Sequence, residues 1–239
     1  GGTAFAKHLV IDERRNGLKA MRVRELDGGG EHQVEFPEPV YAYWLGPNEE
    51  FDSQVIRFTY TSLVTPRSVF DYDMETRGRE LRKQDEVLGG FDASRYQSER
   101  ITATATDGTK VPISLVYRKG LRRNGGNPTL LYGYGSYGAS SDPTFQSNRL
   151  SLLDRGVVFA IAHVRGGGEM GRPWYEAGKL MNKKNTFTDF VACAEHLIAE
   201  KYASPGRLAI QGGSAGGLLM GAVTNLRPDL FKVVVAQVP

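Results

Sequence analysis

The sequence predicts two differently built parts, an all-β part over residues 1–83 and an α/β part over residues 84–239. Three observations carry this. Short runs rich in β-branched and aromatic residues, cut by turn signals, fill the first part. From Pro128 onward, apolar strand-like runs alternate with helical periodicity, the signature of a parallel sheet covered by helices. Between one such strand and one such helix stands Ser214, crowded by glycines.

Taken in order, strands are expected over residues 8–13, 18–26, 32–36, 54–64 and 68–74, separated by turns such as Asn16-Gly17 and Gly28-Gly29-Gly30. Residues 55–60 alternate apolar and polar for part of their length, as a half-covered strand does. This makes one or two four-stranded units. A lone sheet of that size leaves an apolar face and its edges uncovered, so the part reads as a piece of a larger all-β body such as a propeller. Residues 81–100, with Gly89-Gly90, read as the connector. A hairpin follows, turning at Asp107-Gly108. The runs at 128–135 and 156–164 are continuously apolar, suited to strands buried on both faces. Phe187, Phe190, Val191, Ala194, Leu197 and Ile198 then fall on one helical stripe. Next come a strand at 207–212, a helix at 215–225 and a strand at 232–238. That last strand is expected to be central in a complete sheet, leaving Val233, Val234, Val235 and Val238 only partly covered here.

Composition bounds the function. The chain is 40% hydrophobic and 24% charged, ordinary for a globular protein, and its net charge of +3 makes no case for nucleic acid. No apolar run approaches the length of a membrane span. The single cysteine, Cys193, excludes an internal disulfide and fits a reducing compartment. The N-terminal residues lack a signal-peptide pattern and an initiator Met. The expected location is the cytoplasm, with the periplasm as the alternative.

Gly212-Gly213-Ser214-Ala215-Gly216 fits G-x-S-x-G. The turn from strand to helix is so tight that the positions two before and two after the serine face each other. A side chain there would clash. The serine is held in a strained conformation above the sheet edge, and the next backbone N–H sits at a helix N-terminus, where it can stabilise an oxyanion. This predicts a nucleophile elbow; a plain glycine-rich turn is the competing reading. Gly133, Gly135 and Gly138 match the spacing of a dinucleotide fingerprint, but Pro143 argues against the helix that fingerprint needs. No P-loop lysine is present. No cofactor or metal is expected. The 133–138 stretch reads instead as a β–α loop that can supply a second oxyanion donor, with Tyr132, Tyr134 and Tyr137 as donors or pocket walls. His163 reads as a core histidine, Asp229 as a turn residue and Cys193 as a buried thiol.

The stretches LLYGYGSYGAS, HVRGGGEMG, NTFTDFVACAEHLI, GGSAGGLLMGAV and RPDLFKVVVAQVP resemble the prolyl oligopeptidase family of serine peptidases. RLSLLDRGVVFAIAHVRGGGE favours its oligopeptidase B branch, which cleaves short peptides after Arg or Lys. The resemblance implies the end of a seven-bladed propeller followed by the first part of an α/β-hydrolase domain. It implies Ser214 as the acylated nucleophile, the Ala215 N–H and the Tyr134 hydroxyl as the oxyanion hole, Tyr137 as a wall of the specificity pocket, and Asp142 near the basic side chains of the substrate. Thr144 stands where a second acid is expected. α/β-Hydrolases place the acid and then the histidine after the nucleophile. No histidine follows Ser214, so the triad Asp and His and the acidic pocket are expected beyond Pro239, and the 239 residues alone are expected to be inactive. Short peptides are the implied partners. A prolyl or acylaminoacyl peptidase of the same architecture, or a non-catalytic β/α module, are the alternatives.

Overall fold

The computed structural model describes all 239 residues, in two compact units. The first comprises Gly1–Phe91 and Asp142–Gln146, the second Asp92–Ser141 and Ser147–Pro239.

Two four-stranded antiparallel sheets build the first unit. One runs β1 (Gly2–Ala4), β2 (His8–Arg15), β3 (Leu18–Glu25) and β4 (Glu31–Val34) in chain order. Arg15 pairs with Leu18, so Asn16 and Gly17 alone make the β2–β3 turn, both left-handed at φ 50° and 80°. That geometry is the one an Asn-Gly hairpin favours. The second sheet runs β5 (Tyr41–Leu45), β6 (Val55–Ser62), β7 (Ser68–Asp73) and β8 (Arg79–Gln84). Val10, Met21 and Val23 from one sheet and Tyr43, Ile56 and Phe58 from the other share a single core. Phe36 stacks on Tyr43 and Tyr60, at 5.2 and 5.3 Å between centroids.

Two sequence expectations fail in this unit. Residues 81–84 are not connector but the end of β8, whose six residues are all exposed and four of them charged. An edge strand needs no apolar face, and its charges discourage pairing with another chain, so hydrophobic periodicity cannot reveal it. The short strands β1 and β5 also went unpredicted.

The second unit holds a six-stranded sheet. Its strands are β9 (Tyr96–Thr104), β10 (Lys110–Arg118), β11 (Thr129–Tyr132), β12 (Val158–Ala162), β13 (Leu208–Gly213) and β14 (Val233–Gln237), in the spatial order β14-β13-β11-β12-β10-β9. β9 and β10 form the expected hairpin, and β10 meets β12 antiparallel; β11 to β14 run parallel. The helices are α1 (Leu150–Leu153), α2 (Arg172–Glu176), α3 (Lys184–Ala199) and α4 (Ala215–Leu226). Phe190, Cys193 and Leu197 of α3 and Leu219 and Val223 of α4 bury against Leu131, Val158 and Ile210 of the sheet. The α3 stripe is wider than the apolar pattern, for Thr186 and Asp189 are buried on it too. β14 is the edge strand of this sheet, paired with β13 alone, and all five of its residues are exposed, as expected of valines covered only in part.

This strand order positions the site. From β11 the chain moves to one side, to β12, while from β13 it moves to the other, to β14. Adjacent parallel strands whose connections diverge leave a crevice at their C-terminal ends, where α/β proteins bind ligands. The loops leaving β11 and β13 are the 133–138 stretch and the Ser214 turn.

Candidate active site

Ser214 has φ 55° and ψ −121°, a left-handed backbone that a residue with a Cβ rarely adopts. The conformation is held from both sides. The Ser214 N–H donates to the Gln237 carbonyl at 2.9 Å, and its own carbonyl accepts from the Gly217 and Leu218 amides at 2.8 and 3.2 Å. The glycine crowding has the physical basis expected of it. A Cβ on Gly212 would stand 2.4 Å from the Gly216 carbonyl oxygen, and one on Gly216 would stand 2.7 Å from that of Gly133. Only bare backbone fits where the three meet. Ser214 is exposed at the top of the turn, while Gly212 and Gly216 beneath it are buried.

Ala215 opens α4, and amides of a first helical turn have no acceptor within the helix. They carry the positive end of the helix dipole, so an anion formed beside Ser214 is favoured there. Ser214, Ala215, Tyr137, Lys183 and Leu218 line one cavity of about 600 Å³. Tyr137 is 78% exposed at its rim and is itself left-handed, at φ 59°. Tyr134 does not line this cavity. It packs directly against the elbow, with its Cα and ring 3.5 Å from where a Gly216 Cβ would be. Burial raises the pKa of the neighbouring Tyr132 phenol above its ordinary value.

Asp142 is not among the residues that line this cavity. Arg14 grips its carboxylate with one guanidinium nitrogen, at 2.8 and 3.1 Å to the two oxygens, so its charge is already paired. Asp229 makes a forked pair with Arg227, both bonds 2.8 Å, close to its reading as a turn residue. His163 is buried and shares a 2.7 Å hydrogen bond between its Nε2 and Ser114 Oγ. Its Nδ1 lies 3.5 Å from the buried Glu169, whose carboxylate accepts from the Ser141 amide at 2.8 Å. His196 sits on α3, and His8 and His32 belong to the first unit, where His32 meets the Tyr72 hydroxyl at 2.8 Å. Cys193 is fully buried, which pushes its thiol pKa well up.

Sequence reasoning missed two features beside the site. Lys183 reaches the carbonyl of Gly135 at 2.6 Å and the hydroxyl of Ser136 at 2.7 Å, and burial lowers its pKa below the usual lysine value. Arg165, leaving β12, forks onto the fully buried Asp189 of α3 at 2.8 and 2.6 Å and reaches Asp107 at 2.7 Å. Asp107 also accepts the Thr109 amide, and these contacts hold its pKa at about 2.

Comparisons with known proteins fit this architecture. The family described as "Prolyl oligopeptidase, N-terminal beta-propeller domain" matches residues 2–85, and "Prolyl oligopeptidase family" matches residues 143–239. The dipeptidyl aminopeptidase BI of Pseudoxanthomonas mexicana is 50% identical over all of this chain and 33% of its own length. Protease 2 of Moraxella lacunata is 46% identical over 98% of this chain and 34% of its own. Among solved structures, oligopeptidase B of Trypanosoma brucei with covalently bound antipain superposes with a TM-score of 0.88 and 45% identity, over 98% of this chain and 34% of that one. The chain thus spans about a third of the length of the curated relatives it matches. The fold class follows, part of a propeller and then part of an α/β-hydrolase domain, and the chain belongs to the prolyl oligopeptidase family of serine peptidases.

Proposed function

We propose that the protein hydrolyses peptide bonds of short peptides after Arg or Lys, through an acyl-enzyme on Ser214. One observation carries the reading: an exposed serine strained at φ 55°, standing at the N-cap of α4 and opening into a cavity. The Ser214 oxygen attacks the scissile carbonyl carbon while its proton passes to an imidazole. The negative carbonyl oxygen is held by the Ala215 N–H and the Tyr134 hydroxyl. The C–N bond then breaks, the imidazolium protonates the departing amine, and water hydrolyses the Ser214 ester by the same steps. No histidine of this chain lines the cavity, so the base and its orienting acid are proposed to come from outside these 239 residues. The single buried cysteine supports the cytoplasm as the proposed location.

The basic preference is supported by likeness to oligopeptidase B and not by this cavity, whose charged lining residues are Lys179 and Lys183. Asp142 is proposed to attract a basic substrate only in competition with Arg14. The cationic wall favours a second reading, a prolyl or acylaminoacyl preference, to which a 36% identical prolyl endopeptidase of Elizabethkingia meningoseptica adds support.

A fluorophosphonate probe on the full-length protein tests the core of this. Labelling is expected at Ser214 and is expected to vanish in Ser214→Ala. Labelling that persists in that variant removes the nucleophile assignment. Arginyl, lysyl, prolyl and acetyl-aminoacyl amides then sort the specificities, and fastest turnover of a prolyl amide overturns the basic reading.

A further inference from the structure

Lys183 lines the same cavity as Ser214, yet the elbow does not account for it. Its backbone is the N-cap of α3, a 16-residue helix with no acidic residue in its first turn. A cation there opposes the helix dipole, so helix formation gives no reason for a lysine at this position. Burial also disfavours its charge. What offsets both is the pair of bonds from its Nζ, to the Gly135 carbonyl at 2.6 Å and Ser136 Oγ at 2.7 Å.

The two acceptors lie between Tyr134 and Tyr137, in the most contorted backbone of the site. Gly135, Tyr137 and Gly138 are all left-handed, at φ 69°, 59° and 66°. Gly135 is wedged, since a Cβ on it would lie 2.5 Å from the Thr186 methyl and 2.6 Å from a Val164 methyl. On its far side the loop is tied by the Gly138 amide to the Gly166 carbonyl at 3.0 Å. Lys183 supplies the tie on the near side, and it does so from the N-cap of α3.

We propose that Lys183 is a positioning residue: by holding the Gly135 carbonyl and the Ser136 hydroxyl, it fixes the backbone that aims the Tyr134 hydroxyl toward the oxyanion beside Ser214. This rests on the proposed function above. Lys183 touches no reacting atom; its effect passes through Tyr134.

The test is the second-order rate at which a fluorophosphonate probe labels the full-length protein. In that reaction the Ser214 oxygen bonds to phosphorus, fluoride leaves with its electron pair, and the hydroxyl proton passes to the base. The phosphoryl oxygen occupies the oxyanion position. Lys183→Met is expected to slow labelling by about 10–100-fold, since a displacement on the order of 1 Å at a catalytic group costs up to about 10² in rate. Lys183→Arg, which keeps the charge and the donors, is expected to recover most of the rate. Tyr134→Phe, alone or combined with Lys183→Met, is expected to label at one and the same rate, because groups that act through one another are not additive. A merely structural lysine gives the opposite result, with the losses multiplying in the double variant, and that overturns the proposal. An unchanged rate in Lys183→Met overturns it as well. Should Lys183→Met fail to fold, Ser136→Ala removes one tie and leaves the lysine in place, and the same non-additivity with Tyr134→Phe is expected of it. The unaltered protein and Ser214→Ala report on the function and the Lys183 variants on this inference, so the two fail separately; a protein with no labelling at Ser214 overturns both.

Discussion

Gly212 is the residue on which the elbow turns. Its missing Cβ would overlap backbone oxygens of Gly216 and Gly133, at 2.4 and 2.9 Å, and backbone atoms have no rotamer by which to move aside. Gly212→Ala is therefore expected to cost about 1–3 kcal/mol in stability, the usual penalty for overfilling a tight site. It should also slow labelling of Ser214 far more than that loss explains, because the serine would shift. Urea midpoints and labelling rates on the same preparations check this, and unchanged values for both would mean that the turn is loosely packed. Gly221 provides the contrast. It lies exposed within α4, and a Cβ there meets nothing within 4 Å. Gly221→Ala is expected to stabilise by about 0.4–1 kcal/mol through a less flexible unfolded chain.

At the scale of elements, the Arg165–Asp189 pair joins the loop after β12 to the buried face of α3. Asp189 is wholly buried and accepts the Arg165 backbone amide at 3.0 Å as well as the guanidinium. Asp189→Ala leaves a buried guanidinium with one partner, and a loss of about 3–5 kcal/mol is expected, as for other broken buried pairs. A drop in urea midpoint too small for that range would show water reaching Arg165. The pair also marks the limit of what sequence alone conveys. α3 was legible because Phe190, Ala194 and Leu197 repeat at helical spacing, and the same spacing gives an aspartate on that stripe no meaning until Arg165 is seen opposite. β8 was illegible for the converse reason, its residues being exposed along its whole length. Ser214 could be found because the steric demand of its turn is written within five residues. Lys183 could not, because its acceptors are 47 and 48 positions away and a lysine at a helix start reads as solvated.

Across the whole molecule, the outer strands differ sharply in chemistry. β8 carries Arg79, Glu80, Arg82 and Lys83, whereas β14 presents Val233, Val234 and Val235, exposed at 50, 38 and 38%. An uncovered apolar edge is a template for pairing with another chain. The 239-residue chain on its own is expected to self-associate with rising concentration, and Val234→Lys is expected to reduce this, with light scattering as the measure. A monomer at every concentration would show that this edge is not sticky. The strand order also has a consequence in time. β9 and β10 are neighbours along the chain and can pair at once, while β11 must wait for β12 on one flank and for the much later β13 on the other. Distant pairings form slowly, because long loops must close first. Pulse-labelled hydrogen exchange during refolding is thus expected to protect Ile113 and Leu115 before Gln211, which faces β11. Protection of Gln211 first would reverse the order. In the expected order the serine acquires its strained geometry only in the final steps of assembly, and a half-folded chain carries no exposed nucleophile to react at random.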